Sequence, residues 1–223
     1  MVEEIMVNPE KHKKSFSETN LTVFSISRGE GYYQTGTLQL LEIADRLGRY
    51  ANFVDGTSSG IHVARTAAHE ICKREMRKMG YDDKVIRGLW LDTDIRFLDD
   101  QIDAIVEEIK KADEEGYSFA VPYYVAPDKT SVSNSPLGLK MLTRKELDNL
   151  PEYSKLTAAG FGFWYGDIYL DYRFHYDMHD GKWNGEDINY FIENPVDLRL
   201  VKKIELFHKK YVWYGLNRHL EGV

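Results

Sequence analysis

The hydrophobic pattern in the first part of the chain alternates between two kinds of segment. Short apolar runs bounded by turn residues predict strands, and apolar residues spaced i, i+3 and i+4 predict helices. The predicted strands are Leu21–Ser27, Ala51–Asp55, Val85–Ile95 and Phe119–Tyr124, and the predicted helices are Thr37–Leu47, Val63–Met79 and Asp99–Glu115. Such alternation is typical of α/β proteins. We therefore expect a single α/β domain with a central, mostly parallel sheet and helices on both faces.

The rest of the chain is less regular. Residues 126–136 predict a polar loop, and residues 143–150 predict a short helix capped by Thr143. The first 20 residues are polar and predict a loosely held leader. We expect the leader at residues 1–20 to precede two halves of one domain, at residues 21–125 and 126–215.

Composition and charge narrow the class of protein. The chain has 223 residues, of which 43% are hydrophobic and 29% charged, which is globular composition. The single cysteine, Cys72, excludes a disulfide framework and a thiolate zinc site. A net charge of -7 argues against a nucleic-acid partner, although a local basic pocket for phosphate stays possible. No apolar run approaches the roughly 20 residues of a membrane span, and the N-terminus has no signal-peptide core, so we expect a cytoplasmic protein.

Two aspartates, Asp92 and Asp94, follow the most apolar predicted strand. Residues two apart in an extended chain point to the same side, so the two carboxylates would lie side by side and raise each other's pKa. A divalent cation removes that conflict, and hard oxygen ligands suit Mg²⁺ or Mn²⁺. The pattern indicates a metal site at the carboxyl end of a central strand, where ligands bind in open α/β sheets. The alternative is that both aspartates simply cap a turn.

With these residues the chain resembles glycosyltransferases of the GT-A fold, in which a hydrophobic strand ends in an Asp-x-Asp motif that holds a metal and a nucleotide-sugar diphosphate. The segment 53–58 (FVDGTS) is similar to the family's second-strand motif, whose Asp contacts the nucleotide base. The segment 61–66 (IHVART) is similar to the Ala-Arg-Asn helix start of the family, with Thr66 in place of Asn. The ordered motifs extend over residues 21–210.

Two later motifs complete the resemblance. Glu186-Asp187 resembles a Glu-Asp motif whose Asp is the catalytic base of inverting members, and the segment 207–210 (FHKK) lies where some members supply a metal-binding His and a phosphate-binding Lys. The resemblance thus implies a metal held by Asp92, Asp94 and His208, a donor held by Ser27, Arg28, Asp55, Arg65, Asp92 and Lys209, and catalysis by Asp187 with Glu186.

The function that the resemblance implies is metal-dependent transfer of a sugar from a nucleotide-diphosphate sugar, with inversion. The cofactor would be Mn²⁺ or Mg²⁺, the donor a UDP- or GDP-sugar, and the acceptor a glycan, protein or lipid. The half at 21–125 would bind nucleotide and metal, and the half at 126–215 would bind the acceptor and carry catalysis.

Other interpretations of the same residues stay open. Glu186 and Asp187 are also what a helix N-terminus favours, and a lone His beside Phe207 is more often structural than a ligand. The Asp pair could serve a phosphohydrolase or nucleotidyltransferase, although Arg96 stands where phosphatases of the haloacid-dehalogenase type have Thr or Val. A third possibility is a non-catalytic GT-A-like binding or structural module.

Overall fold

The fold is described from a computed structural model. It covers residues 14–26, 33–56, 60–92, 95–96, 99–126, 129–135, 138–179 and 182–208. The strands are β1 Asn20–Ser25, β2 Tyr50–Asp55, β3 Val85–Leu91, β4 Ile95–Arg96, β5 Ser118–Ala120, β6 Tyr123–Ala126, β7 Lys129–Ser135, β8 Gly138–Thr143, β9 Tyr153–Leu156, β10 Phe163–Tyr169, β11 Asp177–His179, β12 Lys182–Asn184, β13 Leu198–Val201 and β14 Leu206–His208. The helices are α1 Phe16–Thr19, α2 Tyr33–Arg46, α3 Ile61–Lys78, α4 Ile102–Glu115, α5 Arg144–Asp148 and α6 Glu186–Glu193.

Within the described ranges, the central sheet has seven strands in the order β2-β1-β3-β10-β5-β13-β9. Strands β1, β2 and β3 run parallel to one another, as do β5 and β13. Strand β10 lies antiparallel between β3 and β5, and β9 is antiparallel to β13. Five strands therefore point the same way, which brings their carboxyl ends to one edge of the sheet.

Both faces of this sheet are covered by apolar contacts. One face packs against α3 and α6 through Phe24, Ala68, Cys72, Met76, Trp90, Tyr190 and Phe191. The other face packs against α2 and α4 through Leu21, Val23, Leu40, Ile43, Ile105 and Ile109. The predicted α/β class, with a mostly parallel sheet and helices on both faces, is confirmed.

Several predicted boundaries need correction. The predicted loop at residues 126–136 is wrong, because β7 occupies Lys129–Ser135 and pairs antiparallel with both β6 and β8. The predicted strand Phe119–Tyr124 is interrupted by Val121 and Pro122, since proline has no N–H to give to a sheet.

The end of the predicted leader is also packed rather than loose. Phe16 is only 2% exposed and meets Tyr81 edge to face, with ring centroids 5.3 Å apart. The Ser17 hydroxyl accepts a hydrogen bond of 2.7 Å from the backbone N–H of Arg87. Residues 1–13 lie outside the described part, and the division of the domain at residues 125 and 126 stays a prediction.

A second, smaller sheet brings the C-terminal strand beside the Asp-x-Asp segment. Its order is β4-β14-β6-β7-β8. In the antiparallel pair of β14 and β4, the backbone of His208 lies opposite that of Ile95. None of the helices in the described part of the chain is long and apolar enough to cross a membrane.

Candidate functional site

The site lies at the edge where the parallel strands end. Asp92 directly follows β3, and its backbone N–H donates to the carbonyl of Gly162 at 3.0 Å. The N–H of Ile95 donates to the carbonyl of Asp92, also at 3.0 Å. The Asp92 side chain is 37% exposed. The buried strand β3 thus ends beside a partly exposed carboxylate, that of Asp92.

Helix α3 begins at the same edge because it follows β2, and it places Arg65 in its second turn. Arg65 is buried, with a relative exposure of 2%. Its guanidinium carbon lies 4.9 Å from the ring centroid of Trp90 and 4.6 Å from that of Phe161. The two rings are stacked at 5.3 Å with an angle of 7° between their planes. The aromatic pair supports the guanidinium by cation–π attraction, which strengthens when water is excluded.

The guanidinium of Arg65 also meets two carboxylates. Its Nε donates to Oε1 of Glu186 at 3.1 Å, and its terminal nitrogen Nη2 lies 4.0 Å from Oδ1 of Asp92. Glu186 is the first residue of α6 and is only 6% exposed. Arg65 and Glu186 are 121 residues apart along the chain. A single buried cation therefore joins the end of β3 to the start of α6.

Asp187 is the next residue of α6. Its Oδ1 accepts a hydrogen bond of 2.9 Å from the backbone N–H of Ile188. Burial raises the pKa of Asp187 above its ordinary value, the charge of Glu186 raises it further, and Arg65 offsets part of the rise. A carboxylate with a raised pKa is a stronger base than a solvated one.

Tyr176 borders the acidic pair from the segment before β11. Its ring meets that of His62 edge to face, with centroids 4.9 Å apart, and is 47% exposed. Partial burial raises the pKa of Tyr176, and the neighbouring Glu186 raises it further by its charge and by hydrogen bonding. A half-exposed aromatic side chain thus stands next to the carboxylates.

The structure describes only some of the remaining predicted site residues. Asp55 ends β2 at the same edge of the sheet and is partly buried. The backbone of His208 pairs with Ile95, but its side chain is not among those described. Ser27, Arg28, Asp94 and Lys209 lie outside the described residues. Of the predicted set, the structure brings together Arg65, Asp92, Glu186 and Asp187, which we call the carboxylate cluster.

Among the described side chains, the carboxylate cluster contains three carboxylates and one guanidinium. No group of three or more potential metal ligands occurs among the described residues. Two of the three predicted metal ligands fall outside that search, so the metal site stays a prediction.

Sequence reasoning did not identify Trp90 or Tyr176 as site residues, and it did not link Phe161 to Arg65. Trp90 lies two residues before Asp92. Because residues two apart in a strand point to the same face, the sequence does predict that both side chains lie on one side of the sheet. Phe161 belongs to the segment 160–166 (GFGFWYG), whose alternation of glycine and aromatic residues marks a close approach of chains. For Tyr176, no local pattern points to the site.

The raised pKa of Asp187 predicts a pH-dependent effect of Asp187→Asn on stability. The folded state disfavours the ionised carboxylate, so ionisation of Asp187 destabilises the wild type at a pH above its raised pKa. Because asparagine carries no charge, we expect a higher Tm for Asp187→Asn at pH 7 to 8. The difference in Tm between variant and wild type should disappear as the pH falls toward about 4, the ordinary pKa of Asp. Calorimetry across this range checks the prediction, with Asp45→Asn on the exposed side of α2 as control. A Tm gap that is constant with pH, or a lower Tm for the variant at pH 7, would contradict it.

No protein-family model and no curated protein sequence matches the chain. Among solved structures, the chain is similar to one described as a glycosyltransferase involved in the glycosylation of the major capsid of PBCV-1. The two are 16% identical over 58% of this chain and 62% of that one, with a TM-score of 0.33. The matched part is less than two thirds of that enzyme's chain. A likeness at this TM-score establishes neither a shared fold nor a shared activity.

Proposed function

We propose that the protein is a metal-dependent glycosyltransferase that moves a sugar from a nucleoside-diphosphate donor to an acceptor hydroxyl, with inversion. The observation that carries the proposal is the convergence of Asp92 and Glu186 on Arg65 at the carboxyl edge of the sheet. That convergence sets the carboxylate after a central strand close to the carboxylates at the start of α6. Sugar transfer needs the donor diphosphate on one side of the site and the acceptor on the other, and this placement of the carboxylates would serve both.

The carboxylates of the cluster support a divalent cation. Carboxylates set close together repel one another, and a bound cation reduces that repulsion. Asp92 and Asp94 would supply two hard oxygen ligands and His208 a nitrogen ligand, which suits Mn²⁺ or Mg²⁺. The backbone pairing of His208 with Ile95 supports the inclusion of His208 in this set. When bound, the cation would act as a Lewis acid that stabilises the leaving diphosphate.

Asp187 is our candidate for the general base. Its carboxylate would take the proton from the acceptor hydroxyl as that oxygen forms a bond to the anomeric carbon of the donor sugar. The bond from the anomeric carbon to the diphosphate oxygen breaks on the opposite face, and the nucleoside diphosphate leaves. The raised pKa of Asp187 supports this role because it brings the carboxylate nearer to the pH at which it must accept a proton.

The donor would be held mainly by the first half of the chain. Asp55 lies at the carboxyl edge, where it could contact the nucleotide base, and Ser27 and Arg28 follow the neighbouring strand β1 in sequence. Lys209 follows β14 and could neutralise the diphosphate. A UDP- or GDP-sugar as donor, and a glycan, protein or lipid as acceptor, belong to this proposal.

Replacement of the proposed base tests the proposal directly. Asp187→Asn is nearly isosteric and cannot accept a proton at neutral pH, so we expect turnover to fall by about 10²–10⁴-fold. The Kd for the nucleotide sugar should stay within a few-fold of the wild type. Glu186→Gln, the matched control beside it, should cost less because its oxygen can still accept from Arg65. The measurement is steady-state transfer with Mn²⁺ and a screened set of donors and acceptors. Equal turnover in wild type and Asp187→Asn would reduce the acidic pair to a helix N-terminus.

The metal is tested by Asp94→Asn. We expect this variant to bind nucleoside diphosphates more weakly in Mn²⁺ while the thermal unfolding of the free protein is unchanged, because one hard ligand is lost. Titration calorimetry in Mn²⁺ and in EDTA measures the difference, with Asp100→Asn as a nearby exposed control. An affinity that responds neither to Asp94→Asn nor to EDTA would remove the metal from the proposal. Stabilisation by phosphate mimics instead of nucleotides would favour a phosphohydrolase, and a response to neither would favour a non-catalytic module.

Gly185→Ala probes the position of Asp187 without changing its chemistry. A Cβ at residue 185 would lie 2.7 Å from Oδ1 of Asp187, so that carboxylate must move. The backbone angles of Gly185, φ -66° and ψ 161°, suit alanine, so the fold should be little affected. We expect turnover to fall by about 10-fold or more, since misplacement of a reacting group by about 1 Å can cost about 100-fold. In an Asp187→Asn background the same change should cost nothing further. If Gly185→Ala lowered turnover as much in the Asp187→Asn background as in the wild type, its effect would not come from moving Asp187.

A further inference from the structure

We propose that Arg65 is a positioning residue that acts through Glu186 to hold the start of α6, and with it Asp187, in the cleft. The inference rests on the proposed function and changes the role that the resemblance implies for Arg65, which was contact with the donor.

The burial of Arg65 supports a role inside the protein. Its relative exposure is 2%, and its strongest polar contact, at 3.1 Å, is with Glu186. Its third nitrogen, Nη1, is buried and has no hydrogen-bond partner. The polar contacts of the guanidinium, with Glu186 at 3.1 Å and with Asp92 at 4.0 Å, are both to protein carboxylates. The guanidinium is therefore placed to hold protein groups.

The environment of Glu186 explains why α6 needs this contact. Glu186 is a buried carboxylate at the first position of the helix, next to the partly buried Asp187. Two adjacent acids repel each other, and the pKa of Asp187 is raised in part by Glu186. Without Arg65, the charge of Glu186 would be buried and uncompensated, which drives the first turn of the helix toward water. The ion pair keeps Glu186 inside and thereby fixes where Asp187 points.

The planar guanidinium suits this task better than an ammonium group would. It offers Nε to Glu186 while its flat face lies over the rings of Trp90 and Phe161. The rings in turn belong to β3 and to the turn before β10. The contact therefore fixes the position of the first turn of α6 relative to the central sheet.

A double-mutant cycle in kcat tests the proposal. Arg65→Met alone should lower kcat by about 100-fold while the Kd for the nucleoside diphosphate in Mn²⁺ changes by less than about 3-fold. In a Glu186→Gln background, Arg65→Met should cost less than about 5-fold, because glutamine at this position leaves no buried charge unpaired when the guanidinium is removed. Arg65→Lys should not restore kcat, and it serves as a second variant if Arg65→Met does not fold.

Hydrogen exchange supplies a readout that does not depend on transferase activity. The amide of Asn189, which donates to the carbonyl of Gly185 at 3.1 Å, reports on the first turn of α6. Its protection should fall at least 10-fold in Arg65→Met. The matched control is Arg87→Met, since Arg87 is also partly buried against an aromatic ring, that of Tyr165 at 5.1 Å, but lies near the opposite end of β3. Arg87→Met should leave the protection of Asn189 and kcat unchanged.

The outcomes separate the hypotheses. A loss of nucleotide affinity equal to the loss of kcat in both backgrounds would overturn the proposal and assign Arg65 to the donor. Unchanged protection of Asn189 in a folded Arg65→Met variant would also overturn it. If the wild type transfers no sugar but the exchange results hold, the proposed function fails while the positioning of α6 by Arg65 stands.

Discussion

The buried guanidinium of Arg65 is the constraint on which the rest of the site depends. A charge in an apolar interior must be paired, and breaking a buried pair by removing one partner costs about 3–5 kcal/mol. Here the partner, Glu186, comes from the other half of the chain, and the support comes from rings on β3 and on the turn before β10. Helix α3, helix α6 and the central sheet are thereby held in one arrangement at the carboxyl edge. The Asp187 carboxylate takes its place from that arrangement, whereas Asp92 is held by its own backbone bonds at the end of β3.

The opposite end of the sheet contains the same chemistry in a balanced form. Arg49 and Arg87 both pair with Asp113, at 2.6 and 2.9 Å, and Arg87 also pairs with Asp167 at 3.0 Å. Two guanidinium groups there meet two carboxylates, and the hydroxyl of Tyr165 donates to Asp113. The contrast is informative because both clusters lie against aromatic rings. At that end each of the two guanidinium groups meets a carboxylate, whereas in the carboxylate cluster one guanidinium, that of Arg65, is shared by Glu186 and Asp92.

The sequence predicted those features of the fold that depend on local pattern. The alternation of apolar runs and helical spacing predicts the α/β class, the end of a predicted strand predicts Asp92 as a site residue, and only the resemblance implies Glu186. The pairing of Arg65 with Glu186 could not be predicted because nothing local links residues 121 apart. Strand β7 was predicted as a loop because Lys129–Ser135 (KTSVSNS) is polar, and its strand structure depends on hydrogen bonds to β6 and β8. Phe16 was assigned to a loose leader because one apolar residue among polar ones gives no periodicity.

The antiparallel strand β10 has a consequence for how the chain folds as it is synthesised. Strands β3 and β5 have no hydrogen bonds to each other; both pair with β10, which ends at Tyr169. Four strands of the central sheet, β1, β2, β3 and β5, can therefore leave the ribosome well before the sheet can close. Until β10 emerges, the apolar strand β3 has one open edge, and open apolar edges are prone to pair with other chains. The non-local pairing that joins the two halves also delays completion of the sheet. Vectorial synthesis thus leaves a period in which protection by a chaperone would matter most.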